Sequence, residues 1–371
     1  MPAQRQSGST THQKQRIGPR VLMWCWCCLL IGSMAVWRAE IAISQERLGK
    51  FELSGHRGTR GLRPENTLPA FSKALAIGVN TLEMDAAVTK DGVVVISHDP
   101  FLDPNITRGP DGKWIEGGRR LIKDMTLKQL QTYDVGRIRP GSDYAKQFPD
   151  QVPIDGTRIP TLSAVIELVR MWQPNDVELS IEPKFDPTDE TKPTLDREPL
   201  ARAVIEVLRK GRFAQRSYIQ SFDWALLQIV QRIAPEFRVV YNTTGRPGDN
   251  TIGVGAASRS KWTGGFDVNE YKSVAHAIKA AGGKYWSPDS WDLDAAQVKT
   301  AHELGIRVAV WTVNEPKEMA KFIDMDVDSI ITDYPDRLRK VLAEKGVAVP
   351  KEGGKRGSGR HRTHDLHSTA S

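Results

Sequence analysis

Acidic and basic side chains follow short apolar runs in this sequence, at spacings that could support chemistry. One run carries Glu83 and Asp85 two positions apart, and another ends with Glu182 followed by Lys184 two positions later. Because alternate side chains of a strand point the same way, each pair is expected to project together from its strand. Buried carboxylates repel each other unless a cation lies between them. Glu83, Asp85 and Glu182 are therefore candidate ligands of a hard divalent cation such as Ca²⁺ or Mg²⁺.

Two histidines with polar neighbours complete the reactive set. His56 and Arg57 follow the first apolar run, and His98 follows the third. Histidines beside a cation can act as general base and general acid. Arg57 and Lys184 supply fixed positive charge, which suits the negative charge that develops on a phosphoryl group. The sequence contains no Gly-x-Ser-x-Gly motif and no phosphate-binding Gly-rich loop.

Ordinary structural roles stay open for all of these residues. The first two carboxylates could mark a solvated strand end, and the two histidines could cap a turn and a helix. Glu182 and Lys184 could form a surface ion pair. Trp311, near the end of a later run, either fills the core or contacts substrate. His276 and His302 lie inside predicted helices and are expected to be structural.

The elements that must position these groups alternate between strands and helices over residues 51–340. This alternation predicts parallel strands joined by helical crossovers, and about 290 residues favour a (β/α)₈ TIM barrel over an open sheet. Nine strands are predicted, one too many for that barrel. Lys90-Asp91-Gly92 between two of them is typical of a hairpin turn, so one strand is expected outside the ring or is wrongly predicted. The predicted strands are Phe51–Gly55, Thr81–Val88, Val93–Ser97, Val177–Ile181, Ser217–Ser221, Arg238–Tyr241, Lys284–Trp286, Arg307–Val313 and Ser329–Thr332.

A parallel barrel would bring the polar groups together, because all its strands end at one face. Thr67 and Gly78 bound the first predicted helix as N-cap and stop signal. Residues 101–160, rich in Gly, Asp and Pro, break the alternation. A long irregular stretch inside a domain is usually functional or an insertion, so we expect it to pass over the barrel mouth. The predicted barrel domain spans residues 51–345.

The net charge of +7 comes from the two ends of the chain. Residues 1–50 carry seven Lys/Arg against two Asp/Glu, and residues 351–371 carry five against two, which leaves residues 51–350 nearly neutral. This distribution argues against a nucleic-acid-binding domain. The segment 351–371 is predicted to be a disordered basic tail. Nothing in the sequence predicts a protein partner.

The first 37 residues read as a targeting segment. Basic residues precede the apolar stretch Val21–Trp37, which is short for a spanning helix, and Ser33-Met34-Ala35 offers small residues where a signal peptidase cleaves. We expect a cleaved export signal; an uncleaved membrane anchor, or a buried helix, are the alternatives. Export would make the domain periplasmic or secreted, and an anchor would associate it with a membrane. All three cysteines lie in this stretch, so thiol and disulfide chemistry is not expected in the barrel.

Taken in order, the motifs resemble the glycerophosphodiester phosphodiesterase family, in its exported form. The resemblance covers about 280 residues, and its specificity lies in the ordered set rather than in any one element. The matching motifs are His56-Arg57-Gly58, Pro64-Glu65-Asn66-Thr67-Leu68-Pro69-Ala70-Phe71, Leu82-Glu83-Met84-Asp85, Thr89-Lys90-Asp91-Gly92, His98-Asp99, Glu182-Pro183-Lys184, Gln220-Ser221-Phe222, Val310-Trp311-Thr312-Val313-Asn314 and Ile331-Thr332-Asp333-Tyr334-Pro335.

The resemblance implies hydrolysis of glycerophosphodiesters to glycerol 3-phosphate and an alcohol, with a divalent cation. Ca²⁺ is expected over Mg²⁺, because the exported members of the family use it. Glu65 is implied to orient the His56 loop or to lie near the metal. Ala86 and Ala87 are smaller than is usual and are expected to widen the mouth. The implied roles are metal binding for Glu83, Asp85 and Glu182, catalysis for His56, His98 and Arg57, and substrate contact for Arg57, Lys184 and Trp311.

Two rival functions differ in class. A phospholipase C- or D-like hydrolase of lyso- or intact lipids would use the same site at a membrane. A non-catalytic binding protein would keep the barrel but lack one of the candidate metal ligands or one of the two histidines. All five of these residues are present, namely His56, His98, Glu83, Asp85 and Glu182.

Overall fold

The computed structural model of the protein describes residues 51–172, 177–256 and 258–352. Eleven strands occur in these ranges. They are β1 (Glu52–Gly55), β2 (Thr81–Val88), β3 (Val94–Ile96), β4 (Glu178–Pro183), β5 (Ser217–Ser221), β6 (Arg238–Thr243), β7 (Gly245–Arg246), β8 (Asp249–Asn250), β9 (Tyr285–Pro288), β10 (Arg307–Val310) and β11 (Ser329–Thr332).

Eight of the strands form a closed parallel ring. Their order is β1-β11-β10-β9-β6-β5-β4-β2, and β1 also pairs with β2 through Ser54↔Thr81 and Gly55↔Leu82. Helices connect successive strands, as a right-handed parallel barrel requires. The predicted (β/α)₈ TIM barrel is confirmed.

The surplus ninth predicted strand is β3, and it lies outside the ring. It pairs antiparallel with β2, with Ala86 opposite Ile96 and Val88 opposite Val94. The turn between them is closed by a hydrogen bond from the Thr89 backbone N to the Val93 carbonyl, at 3.0 Å. The hairpin expected from Lys90-Asp91-Gly92 therefore exists, and it explains why nine strands were predicted.

Ten α-helices lie in the described part of the chain. The predicted caps of the first are present: the Thr67 side chain accepts a hydrogen bond from the Ala70 backbone N, and Gly78 ends the helix in the left-handed conformation. The helix after β11 was not predicted, although its first residue is a proline, which favours that position. The helices are α1 (Leu68–Ile77), α2 (Leu127–Leu130), α3 (Asp143–Gln147), α4 (Leu162–Trp172), α5 (Arg197–Lys210), α6 (Trp224–Ile233), α7 (Val274–Ala280), α8 (Ala295–Glu303), α9 (Pro316–Asp324) and α10 (Pro335–Glu344).

The main core lies between the ring and the helices around it. All eight residues of β2 are buried, as expected for a strand covered on both faces. Phe71 of α1, Trp224 of α6 and Phe322 of α9 are at most 1% exposed and pack in the same cluster. This core fixes the strand ends on which the polar residues lie.

Residues 101–160 form an irregular insertion with a small core of its own. It contains isolated β-bridges and the short helices α2 and α3. Leu102, Ile122 and Leu130 are buried together with Ala87 in a cluster separate from the main core. Ala86 is fully buried in the main core, so neither alanine lines the mouth and the expected widening was wrong.

Two predicted segments lie outside the described residues. They are the export signal or anchor at residues 1–37 and all but the first two residues of the tail at 351–371. Within residues 51–172, 177–256 and 258–352, no helix has the length and apolar character needed to span a membrane.

Candidate active site

The C-terminal ends of the ring strands enclose a cavity of about 230 Å³. The structure brings together there nearly all of the side chains predicted to act. The predicted residues in its lining are His56, Arg57, Glu83, Asp85, His98, Glu182, Lys184 and Trp311. Glu65 lies behind this lining, in contact with Arg57.

Three carboxylates lie close together in the lining of this cavity. Glu83, Asp85 and Glu182 each offer an oxygen within 4.8 Å of the others, and none is more than 8% exposed. The first two lie two residues apart on β2, and Asp85 is in register with Glu182 of the neighbouring β4. The predicted shared direction of the pair on β2 is thus observed, and the strand pairing supplies the third oxygen donor.

Glu83 and Asp85 lie close enough for each charge to affect the other. Burial raises the pKa of Glu83, and the adjacent charge of Asp85 raises it further. The pKa of Asp85 is held low: burial opposes this, but the positive charge of Lys184 outweighs it. Such a set of hard oxygen donors fits a divalent cation, which would relieve the repulsion. Glu83, Asp85 and Glu182 are the residues that would hold it.

Three amide side chains that were not predicted as site residues hold the carboxylates in place. Gln220 Nε2 donates to Glu83 Oε1 at 2.8 Å, and Asn66 Nδ2 donates to Asp85 Oδ2 at 2.9 Å. Asn242 Nδ2 lies 3.5 Å from Glu182 Oε2. Gln220 and Asn66 lie within the motifs shared with the phosphodiesterase family, so the sequence could have identified these two as site residues.

Arg57 is fixed between the metal-site carboxylates and Glu65. Its backbone N donates to Glu83 Oε2 at 2.8 Å, and its guanidinium donates to Glu65 Oε1 at 2.7 Å and lies 3.5 Å from Asp85. The residue has a φ of 49°, a conformation uncommon outside glycine and frequent at functional sites. At Gly58, a Cβ would come within 2.8 Å of the Ala70 backbone, so glycine is required there. Glu65 thus contacts the loop that carries His56, and it is not one of the three clustered carboxylates.

His56 is oriented by Asp333, which follows β11. Its Nδ1 lies 2.7 Å from Asp333 Oδ1, and its Nε2 is 3.9 Å from Glu83 Oε2. Arg60 binds both oxygens of Asp333, at 2.7 and 2.9 Å. Burial and the nearby charge of Arg60 lower the pKa of His56 to about 4. The imidazole is therefore neutral at pH 7, and an ionised Asp333 accepts its Nδ1 proton, which leaves Nε2 as a base.

His98 follows the β3 hairpin and also lines the cavity. Its Nδ1 is 2.9 Å from Asp99 Oδ1, and its side chain is 36% exposed. Like His56, it has one ring nitrogen bound to a carboxylate and the other available to a ligand. Both histidines are thus held in the arrangement that general acid–base catalysis uses.

Lys184 and Trp311 line the remaining walls. Lys184 Nζ contacts Glu182 Oε1 at 2.9 Å and lies 3.5 Å from Asp85 Oδ1. Glu182 and Lys184 therefore belong to a group of charges within the cavity and do not form a surface ion pair. Trp311 donates its Nε1 proton to the Ser287 carbonyl and packs edge-on against Phe222 at 5.3 Å. Trp311 therefore presents an aromatic wall to the cavity.

The insertion reaches this site through α3 and the residue that follows it. The Tyr144 hydroxyl donates to Glu65 Oε2, the carboxylate that also binds Arg57. Arg60, the partner of Asp333, stacks over the Phe148 ring at 4.6 Å. Neither contact could be predicted, because the insertion has no periodic pattern that would place its residues.

The fold and this arrangement of groups define a (β/α)₈-barrel phosphodiesterase. A family model described as the glycerophosphoryl diester phosphodiesterase family matches residues 56–337. The chain belongs to this family.

Relatives and solved structures agree. A glycerophosphodiester phosphodiesterase of Caldanaerobacter subterraneus subsp. tengcongensis is 25% identical over 78% of this chain and 97% of its own length. A human lysophospholipase D is 26% identical over 77% of this chain and 84% of its own. The crystal structure of a putative glycerophosphoryl diester phosphodiesterase from Silicibacter pomeroyi is 34% identical, with a TM-score of 0.70 over 80% of this chain and 94% of that one.

Proposed function

We propose that this enzyme hydrolyses glycerophosphodiesters to glycerol 3-phosphate and an alcohol, with a divalent cation at Glu83, Asp85 and Glu182. The observation that carries the proposal is the convergence of these three buried carboxylates with two carboxylate-bound histidines and an arginine in one cavity. A phosphodiesterase of Oleispira antarctica, which shares the fold at 23% identity, was solved with the product sn-glycerol-3-phosphate.

We infer Ca²⁺ rather than Mg²⁺ as the cation. Three carboxylates satisfy either ion, but Ca²⁺ accepts the irregular geometry of ligands drawn from two strands more readily than Mg²⁺ does. When bound, the cation would supply Lewis-acid polarisation of the phosphoryl group. The choice also agrees with the export predicted from the first 37 residues.

The two histidines act as an acid–base pair in this proposal. One takes the proton of the attacking oxygen, which belongs to water or to the glycerol 2-hydroxyl, and the other protonates the departing alcohol. The Asp333–His56 and Asp99–His98 contacts keep each ring oriented during this transfer. Arg57, held by Glu65, offsets the negative charge that grows on the phosphoryl oxygens.

Lys184 and Trp311 are proposed substrate contacts. Lys184 adds a second fixed positive charge at the cavity wall, and the neighbouring carboxylates of Glu182 and Asp85 keep its ammonium charged against the opposing effect of burial on its pKa. The Trp311 ring offers an apolar face to the carbon skeleton of the substrate.

The test is release of glycerol 3-phosphate from glycerophosphocholine by the purified protein. We expect turnover that EDTA abolishes and that added Ca²⁺ restores more fully than Mg²⁺ does. Full activity in EDTA would contradict the metal assignment, and better recovery with Mg²⁺ would overturn the choice of Ca²⁺. No turnover with either ion, in a folded sample, would count against soluble glycerophosphodiesters as substrates.

Lysophospholipids are a second candidate substrate class, favoured by the similarity to the human lysophospholipase D. The same site would release a lysophosphatidic acid and an alcohol, since only the substituent on the glycerol differs. Turnover of lysophosphatidylcholine micelles at a rate above that of glycerophosphocholine would establish this candidate instead.

We also propose that the domain is exported, on the basis of the apolar stretch Val21–Trp37 and its flanking residues. Fractionation of cells that express the full chain, with sizing of the product, distinguishes a cleaved exported form from an anchored one. Recovery of uncleaved protein in the cytoplasm would contradict both.

A further inference from the structure

A second cavity of about 260 Å³ lies beside the catalytic cavity, beneath the insertion. The two cavities share Arg57, Arg60 and His98 in their linings, whereas His56 and the three metal-site carboxylates line only the first. We call the second one the insertion cavity. Because the two are adjacent, a diester with its phosphate at Arg57 can place one substituent in each.

The linings of the two cavities suit different substituents. Part of the lining of the insertion cavity is aliphatic and includes Leu102, Ile106, Val135 and Ile159, whereas among the described residues Ile331 is the one aliphatic residue that lines the catalytic cavity. A polyol against that aliphatic part would lose water hydrogen bonds without replacement. The catalytic cavity offers the hydroxyls and amides of Asn242, Ser287 and others, which suit glycerol. The glycerol therefore belongs in the catalytic cavity and the alcohol substituent in the insertion cavity. His98 lines both cavities and therefore lies at their junction.

The charge of the insertion cavity is unbalanced toward negative. Its two arginines are already neutralised by Glu65 and Asp333, through contacts of 2.7–2.9 Å. Asp99 also lines it but is paired with His98 at 2.9 Å, whereas Asp103 has no Lys, Arg or His within 4.0 Å among the described residues. Burial raises the pKa of Asp103, and the nearby charge of Asp99 adds to the rise, as expected where no cation compensates.

We propose that the insertion cavity is the leaving-alcohol pocket and that it selects alkylammonium alcohols, choline above all, through Asp103. The aliphatic part of the lining packs against methyl and methylene groups, while the Asp103 carboxylate faces the ammonium charge. This inference rests on the proposed function and deepens it, because it names the class of alcohol.

The proposal also assigns the two histidines. The P–O bond to the alcohol breaks with its electron pair on the alcohol oxygen, and that oxygen takes a proton from His98 at the junction. The attacking oxygen forms the new P–O bond and gives its proton to His56, which lines the catalytic cavity alone. The proton gained by His56 balances the one lost by His98.

Substrate discrimination by the full chain tests whether a carboxylate of the insertion cavity recognises the ammonium charge of the alcohol. We compare kcat/KM for glycerophosphocholine and glycerophosphoglycerol in the wild type, in Asp103→Asn, and in Asp111→Asn as a control for loss of an exposed insertion carboxylate. We expect the wild type and the control to prefer the choline diester about 5- to 10-fold, and Asp103→Asn to lose most of that preference through KM. Equal values for both substrates in the wild type, or an unchanged preference in Asp103→Asn, would overturn the proposal.

A second variant tests whether the alcohol occupies the space of the insertion cavity. Ile106→Trp should fill the insertion cavity, so hydrolysis of glycerophosphocholine should fall about 10-fold or more, while glycerophosphomethanol, whose alcohol needs no such room, is hydrolysed at nearly the wild-type rate. Equal loss on both substrates would show that the alcohol does not enter this cavity. No turnover of any diester would overturn the proposed function and this inference with it, whereas turnover without discrimination would overturn this inference alone.

Discussion

The strand ends of the barrel and the insertion contribute to the same site in different ways. Glu83, Asp85 and Glu182 lie on adjacent strands whose pairing is continuous from Thr81 to Ala86, so their spacing is set by the main-chain ladder. The insertion has only isolated bridges and helices of four and five residues around a small separate cluster. The barrel therefore places the charges that the reaction needs, and the insertion shapes the space that the substrate enters.

Two of the contacts between the insertion and the barrel reach residues that hold the catalytic groups. Tyr144 binds the carboxylate that holds Arg57, and Phe148 carries the ring over which Arg60 lies. Arg60 in turn fixes Asp333. If the barrel places the reactive charges and the insertion only shapes the space around them, changes on the barrel strands should abolish activity. Changes in the insertion should then reduce activity by smaller factors.

Removal of one metal-site charge should have the largest effect. Asp85→Asn takes away an oxygen anion that also faces Lys184 and Asn66. We expect kcat/KM to fall about 10³-fold or more, with weaker Ca²⁺ binding in calorimetry. Glu206→Gln, which removes an exposed carboxylate on α5, should change neither quantity. Metal binding and turnover near wild type in Asp85→Asn would remove this residue from the metal site.

Loss of the acid–base pair should rank next. His98→Ala should lower kcat about 10²- to 10⁴-fold, because proton transfer would then depend on water. The matched control is His276→Ala, whose ring bonds only to Ser273 at the start of α7 in the described structure. Turnover of glycerophosphocholine near the wild-type rate in His98→Ala would refute the assignment.

Loss of the hydrogen bond between Tyr144 of the insertion and Glu65 should lower activity less than loss of either histidine. Tyr144→Phe removes one hydroxyl and leaves the ring against Phe148. We expect kcat to fall about 5- to 30-fold with little change in KM, because Glu65 then holds Arg57 less firmly. Tyr133→Phe, a second hydroxyl removal in the insertion, serves as the control. A loss as large as that of Asp85→Asn would break the distinction between the two regions.

The smallest effect is on stability and concerns the buried His56. Its pKa is lowered from 6.5 to about 4, so between these pH values the unfolded chain binds a proton that the folded protein does not. The free energy of unfolding should therefore fall as the pH drops from 6.5 toward 4, by about 1–3 kcal/mol from this group. The low pKa of Asp333 acts only below 3.8 and does not contribute in this window.

Urea unfolding in EDTA at pH 7 and pH 5 measures the contribution of His56 to the free energy of unfolding. The loss of stability between the two pH values should be smaller in His56→Gln than in the wild type. An equal loss in both proteins would show that His56 is not held neutral by its surroundings.

The sequence predicts the barrel and most of the site because strand alternation is a local signal. Glu83 and Asp85 could be placed side by side from their two-residue spacing alone, and the hairpin was visible in Lys90-Asp91-Gly92. The irregular region over the mouth was also expected, from the interruption of the alternation.

What escaped prediction depends on contacts between distant residues. Tyr144 is 79 positions from Glu65, and Arg60 is 273 positions from Asp333. No local pattern reports such pairs. The insertion cavity is likewise formed by residues that no periodicity brings together. The widening expected at Ala86 and Ala87 failed for a related reason, because Ala86 is buried in the main core and Ala87 is buried beneath the insertion.

Closure of the ring through β1 has a consequence for the order in which the enzyme is made. His56 meets its partner Asp333 across 277 positions, and β1 has no neighbour on one side until β11 exists. At about 5–20 residues per second, a ribosome needs roughly 14–55 s to add that stretch. A nascent chain therefore carries an unoriented His56 and an open barrel until its last strand has been synthesised, so hydrolysis begins only once the whole domain has been translated.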